Sequence, residues 1–124
     1  MINQINVGVI GTGWCGGIRA NACADNPLVD KLYIAETNSN RLKELKNSLN
    51  IEMATENWQE LVNNKNIDTI IISATPETTH YPMALAALKA GKNVFLEKPI
   101  ATTLKEAEEL IDVSIKNNVK FTIG

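Results

Sequence analysis

The chain has 124 residues, of which 44% are hydrophobic and 21% charged, close to the average for a soluble globular protein. That composition excludes a disordered tail, a collagen-like fibre and a membrane-spanning chain. Twelve basic against fourteen acidic side chains leave a formal charge of −2, so nothing electrostatic draws the chain to nucleic acid or an anionic membrane.

One domain is expected over residues 1–124, long enough to bury a real core. The opening Met1-Ile2-Asn3-Gln4 lacks the charged start and apolar run of a secretory signal. Ile5 to Ile10 reads as a strand, and Trp14 to about Ala24 as a helix closed by Asp25-Asn26-Pro27. Leu28 to Ala35 is a second strand. Asn38 can cap a helix running to about Leu49, and Ile51 to Ala54 is a short strand. Asn57 and Glu60 resemble a capping box around a short helix. Ile67 to Ser73 is apolar throughout, as a strand covered on both faces should be. Thr78 or Thr79 can start the next helix, with Pro82 tolerated in its first turn and Gly91 at its end. Asn93 to Glu97 is a further strand. Thr103 and Glu106 form a capping box, and Leu104, Ala107, Ile111, Ser114 and Ile115 then mark a helical stripe expected to face the core. Val119 to Ile123 is the last strand. Strands alternating with helices imply an α/β fold with a doubly wound parallel sheet, of strand order 3-2-1-4-5-6.

Cys15 and Cys23 lie on one expected helix, eight residues and about 12 Å apart. That is too far for a disulfide, and two free thiols suggest a reducing cytoplasm. The single histidine, His80, belongs to no cluster with metal-ligand spacing, so no metal is expected.

Gly11-Thr12-Gly13-Trp14-Cys15-Gly16 fits GxGxxG between an expected strand and an expected helix, the context in which the pattern is informative. Gly11 permits the tight turn, Gly13 lets a pyrophosphate approach the backbone, and Gly16 lets helix and sheet pack closely. The helix N-terminus offers free N–H groups and partial positive charge to the phosphates. GxxxxGK[ST] is absent, which argues against a nucleotide triphosphatase. Trp14 either shields the phosphates or packs over the loop. Cys15 is either a thiol activated by the helix N-terminus or simply a small residue at a permissive position.

Glu36 follows the second expected strand, twenty residues after Gly16, the spacing of a carboxylate that accepts from ribose hydroxyls. It would repel a 2′-phosphate, so NAD is favoured over NADP. Arg41 is open to three roles: accepting a phosphate, stacking on adenine, or standing as a solvated helix charge.

Downstream, Ser73-Ala74-Thr75-Pro76-Glu77-Thr78-Thr79-His80 and Ala90-Gly91-Lys92-Asn93-Val94-Phe95-Leu96-Glu97-Lys98-Pro99 complete a set that resembles the Gfo/Idh/MocA family of glucose-fructose oxidoreductase, inositol dehydrogenase and their relatives. The resemblance spans the whole chain in order: GxGxxG, an acid after the second strand, T-P-N-x-x-H and A-G-K-x-V-x-x-E-K-P. It implies a Rossmann domain in which Gly11, Thr12, Gly13, Trp14, Cys15 and Gly16 form the pyrophosphate loop. Glu36 would be the ribose acid, with Arg41 nearby, and Ala74, Thr75, Pro76 and His80 would lie beside the cofactor. Glu97 and Lys98 would reach its nicotinamide end. Glu77 stands where the family has Asn, and a carboxylate there either reshapes a cofactor contact or favours the helix N-terminus. Lys98 sits outside a strand's carboxyl end, where open parallel sheets bind ligands, and an ammonium there can assist proton transfer as the catalytic group.

The resemblance further implies hydride transfer between nicotinamide and a secondary alcohol of a sugar, cyclitol or similar polyol, in a homo-oligomeric protein. The family carries a second, substrate-binding domain that these residues do not include, so the chain is expected to be a fragment that binds cofactor without turnover. The competing readings are a non-enzymatic dinucleotide-binding sensor or subunit, and a domain for another adenosine ligand such as S-adenosylmethionine, against which Glu97-Lys98-Pro99 argues.

Overall fold

A computed structural model describes residues 3–124. Six parallel strands form one sheet: β1 (Ile5–Ile10), β2 (Val29–Ala35), β3 (Met53–Thr55), β4 (Thr69–Ile72), β5 (Asn93–Leu96) and β6 (Phe121–Ile123). Their order is β3-β2-β1-β4-β5-β6, as the alternation of elements predicts. The helices between them are α1 (Trp14–Asp25), α2 (Ser39–Ser48), α3 (Trp58–Val62), α4 (His80–Lys89) and α5 (Leu104–Lys116).

The central strands send alternate residues to opposite faces, the period of a pleated strand. Val7, Val9, Leu32 and Ile34 meet Ala20 of α1 and Leu42 and Leu45 of α2. Ile10, Tyr33, Ile70, Ile72, Val94 and Leu96 pack on the other face against Leu61, Met83, Ala84, Ala87, Leu88 and Leu110. Each such side chain taken from water contributes about 1.5–3 kcal/mol before the entropy of ordering is charged against it. The Lys92 stem enters this second core, and its ammonium donates to the carbonyls of Asn64 and Ile67, both at 2.7 Å. Desolvation by burial lowers its pKa, opposed by the charge of Asp68.

Three expectations need correction. Thr79 does precede the helix after β4 as its N-cap residue, but its side chain makes no capping bond. A 3-10 turn covers Glu77–Thr79, and α4 starts at His80. The Thr79 hydroxyl donates to the Pro76 carbonyl at 2.7 Å instead of capping α4. The third strand spans Met53–Thr55 rather than Ile51 to Ala54, because its register sets Met53, Ala54 and Thr55 beside Tyr33, Ile34 and Ala35.

The third correction concerns α5. Leu104 and Ile115 are 75% and 73% exposed, and Ile111 is also exposed, whereas Leu110 is fully buried. Of the expected stripe Ala107 and Ser114 do turn inward, and with Leu110 they form the line that faces α4, while Leu104, Ile111 and Ile115 lie outward on a second apolar line. Ala107 and Ser114 are small and let the two helices approach closely; the branched side chains of Ile111 and Ile115 would hold them apart. Asn117 Nδ2 donates to the Leu88 carbonyl at 2.8 Å, and Tyr81 donates to Glu109, which fixes that rotation.

Candidate functional site

The loop between β1 and α1 sits at the point where the strand order reverses, with β2 on one side and β4 on the other. Gly11 has φ +84°, and a Cβ there would lie 2.6 Å from backbone atoms of Ala74. A Cβ on Gly16 would collide with the Gly11 carbonyl, and one on Gly17 would lie 2.6 Å from the Arg41 guanidinium. Gly13 differs: a Cβ there would meet no atom within 4 Å. Packing against backbone therefore explains the bareness of Gly11 and Gly16 but not that of Gly13, and at Gly17 the close neighbour is the movable end of Arg41.

Gly13 is also the N-cap of α1, with no side-chain cap and no acidic residue in the first turn. Among the described residues no side chain caps that terminus, and the nearest carboxylate, Glu36, is bound one residue earlier on Thr12. Thr12 is fully buried. Trp14 projects from the first turn and is 85% exposed, and Cys15 beside it is exposed. Both cysteines are free, and burial raises the Cys23 thiol pKa.

Glu36 leaves the end of β2 and turns back on this loop. Its Oε1 accepts from Thr12 N–H at 2.9 Å and from the Thr12 hydroxyl at 2.5 Å, and its Oε2 accepts from Asn38 N–H at 2.9 Å. Burial disfavours its charge. The hydrogen bonds from Asn38 and Thr12, with the nearby Arg41 charge, outweigh burial and hold the carboxyl below its ordinary range. A carboxylate offers about four lone-pair positions, so three donors leave room for one more. Arg41 Nε donates to the Thr12 carbonyl at 3.0 Å, and Nη1 donates to Glu44 at 3.3 Å. Arg41 is thereby tied to the loop through Thr12 and to its own helix through Glu44.

The ends of β4 and β5 complete the site. His80, 2% exposed, places Nδ1 2.8 Å from the Pro99 carbonyl and Nε2 3.0 Å from the Ala74 carbonyl. It straps the turn after β4 to the turn after β5; both turns contain a cis X-Pro bond, Thr75–Pro76 and Lys98–Pro99. Glu97 N–H donates to the Ile72 carbonyl at 2.8 Å, and Lys98 N–H donates to the Gly124 carbonyl at 2.9 Å. The Lys98 side chain is exposed and belongs to none of the ion pairs among the described residues.

These groups line one cleft of about 960 Å³ along the carboxyl ends of the strands. Gly11, Thr12, Gly13, Trp14, Cys15, Glu36, Arg41, Ala74, Thr75, His80, Glu97 and Lys98 all border it. Gly16 and Pro76 do not: Gly16 lies beneath the loop, and the Pro76 carbonyl is occupied by Thr79. Asn38, Trp58, Ser73 and Glu77 border it as well. Of these, Ser73 and Asn38 were within reach of sequence reasoning, as a strand end and a helix cap. Trp58 was not, because only the tertiary fold brings α3 to the cleft. Among the described residues no three His, Cys, Asp or Glu side chains cluster as metal ligands, and no helix is long and apolar enough to cross a membrane.

A parallel sheet with a glycine loop at its switch point, an open helix N-terminus and a carboxylate after the second strand defines the dinucleotide-binding class of doubly wound proteins. Within that class the chain belongs to the GFO_IDH_MocA family, an oxidoreductase family with an NAD-binding Rossmann fold, whose model matches residues 5–124. It is similar to myo-inositol 2-dehydrogenase of Thermotoga maritima, 32% identical over 97% of this chain and 36% of the relative. It is also similar to the scyllo-inositol 2-dehydrogenase (NADP(+)) IolW of Bacillus subtilis, 29% identical over 98% of this chain and 33% of the relative. Among solved structures, scyllo-inositol dehydrogenase from Lactobacillus casei with bound NAD(H) and scyllo-inositol superposes with a TM-score of 0.90 at 29% identity, covering 98% of this chain and 36% of that one. The chain thus spans about a third of the length of the relatives it matches.

Proposed function

We propose that this chain binds a nicotinamide dinucleotide, NAD in preference to NADP, across the carboxyl ends of its strands. In this reading it serves an oxidoreductase that transfers hydride between nicotinamide and a secondary alcohol of a sugar, cyclitol or similar polyol. The observation that carries the reading is Gly13, bare without any packing reason, at an uncapped helix N-terminus that faces the cleft. A diphosphate suits that place because unpaired N–H groups and the helix dipole both favour an anion there.

The donor set fits the rest of the group. The remaining lone pair of Glu36 suits a ribose hydroxyl, and its charge opposes a 2′-phosphate. Arg41 gives two of its five donors to Thr12 and Glu44 and also borders the cleft, so the preference for NAD rests on the Glu36 charge. Thr12, Trp14, Cys15, Ala74, Thr75 and His80 also line the cleft. Glu97 and Lys98 stand at its nicotinamide end. The coenzyme supplies the hydride chemistry when bound, and the protein holds and orients it. The Lys98 ammonium, exposed and outside the ion pairs of the described residues, would hydrogen-bond the substrate oxygen and exchange its proton. The residues that would recognise the polyol lie in the part of the family architecture this chain does not span, so the chain is proposed to bind coenzyme without turnover.

Isothermal titration of the full chain with NAD⁺, NADP⁺ and ADP-ribose tests the reading. NAD⁺ and ADP-ribose should bind, NADP⁺ at least tenfold more weakly, and Gly13→Ala should abolish binding while the NMR amide dispersion stays that of the parent. A folded chain that takes up neither NAD⁺ nor ADP-ribose would overturn it. Steady NADH formation from polyol by the 124-residue chain would overturn the claim of no turnover.

A further inference from the structure

Arg19 lies outside the glycine pattern, in the second turn of α1. Its guanidinium joins the two strands that end beside Lys98. Nη1 donates to Ser73 Oγ at 2.9 Å and pairs with the Glu97 carboxylate. Its Cζ stands 4.7 Å from the centroid of the Phe95 ring, a cation–π contact. Gly124 packs against the same group: a Cβ there would lie 3.1 Å from the guanidinium and collide with Phe95. The Arg19 and Glu97 side chains are only 23% and 18% exposed. Partly buried charges of this kind are tolerated because each is paired.

We infer that Arg19 is a positioning residue for the nicotinamide end of the cleft: it fixes the Glu97 carboxylate and cancels its charge toward the ring. The inference rests on the dinucleotide reading above. The nicotinamide ring is cationic when oxidised and neutral when reduced. An uncompensated charge beside it therefore favours one redox form over the other, whereas a neutral pair favours neither. Arg19 thereby sets the relative affinity for the two forms without being required to touch either.

The test compares dissociation constants of the full chain for NAD⁺, NADH and ADP-ribose. Arg19→Gln leaves the Glu97 carboxylate uncompensated. It should shift the preference toward NAD⁺ over NADH by about fourfold, the effect of unit charges about 10 Å apart at an effective dielectric of about 40. ADP-ribose affinity should stay at the parent value, because that ligand has no nicotinamide. Arg19→Lys should restore the parent ratio by restoring the charge, and so should the double variant Arg19→Gln with Glu97→Gln. A merely structural role would weaken NAD⁺ and NADH alike, and that result overturns the inference. If Arg19→Gln fails to fold, Glu97→Gln alone leaves a surplus positive charge and should move the ratio toward NADH; an unchanged ratio there overturns it equally. Failure of the parent chain to bind ADP-ribose would instead count against the dinucleotide reading itself.

Discussion

At the residue scale, the glycines of one loop answer to different demands. Gly11 needs its positive φ and its contact with Ala74, and Gly16 needs the space beneath Gly11. Gly11→Ala and Gly16→Ala should therefore cost stability, roughly 1–3 kcal/mol each for strain and overpacking. Gly13→Ala should leave urea midpoints within about 0.5 kcal/mol of the parent. Glu36 gives a pH signature. Its folded pKa lies below the ordinary value, so its contribution to stability is present above the unfolded pKa, near 4.3. That contribution is lost as pH falls through the lower folded value. Glu36→Gln should lower stability at neutral pH by about 1–2 kcal/mol, the worth of charge-assisted hydrogen bonds, and the difference from the parent should shrink in urea titrations taken below pH 4.

At the element scale, α5 shows how far periodicity alone reaches. The Thr103–Glu106 cap is where the sequence places it: Glu106 N–H donates to Thr103 Oγ1 at 3.2 Å. The helix itself is equally legible. Its rotation is not, because two apolar lines satisfy the same 3.6-residue period and only the small residues facing α4 decide between them. Leu110→Ala should cost about 2–5 kcal/mol, whereas Leu104→Ala and Ile115→Ala should stay within about 0.5 kcal/mol, all read from denaturant midpoints. The strands were more readily foreseen, since a run such as Thr69–Ile72 is apolar enough to be covered on both faces. The 3-10 turn at Glu77–Thr79 escaped because nothing in a Thr-Thr pair separates a capping hydroxyl from one that turns back on a carbonyl.

At the scale of the whole molecule, the order of the strands and the place of the cleft follow from the alternation of elements and the glycine loop. The site was legible where its residues are close in sequence, and along the ordered motifs after β4 and β5. Arg19 and Glu97 are 78 residues apart, and Phe95 meets the guanidinium only because the long Arg19 side chain reaches from α1 to β5; no spacing rule connects such residues. A ligand that spans the cleft binds only the folded state. NAD⁺ at a hundredfold excess over its dissociation constant should raise the unfolding free energy by about 2.7 kcal/mol, seen as a higher melting temperature. Gly13→Ala should show no such rise.

The open side of Gly13 has one more consequence. On the proposed reading, foldedness and ligand capture are set by different atoms of the same turn. A duplicated or redesigned copy carrying one extra methyl group there would express well, escape the proteases that remove misfolded chains and melt where its parent melts. Screens that rank variants by thermal robustness would pass it unchanged, and only direct occupancy measurements would reveal that it had gone silent.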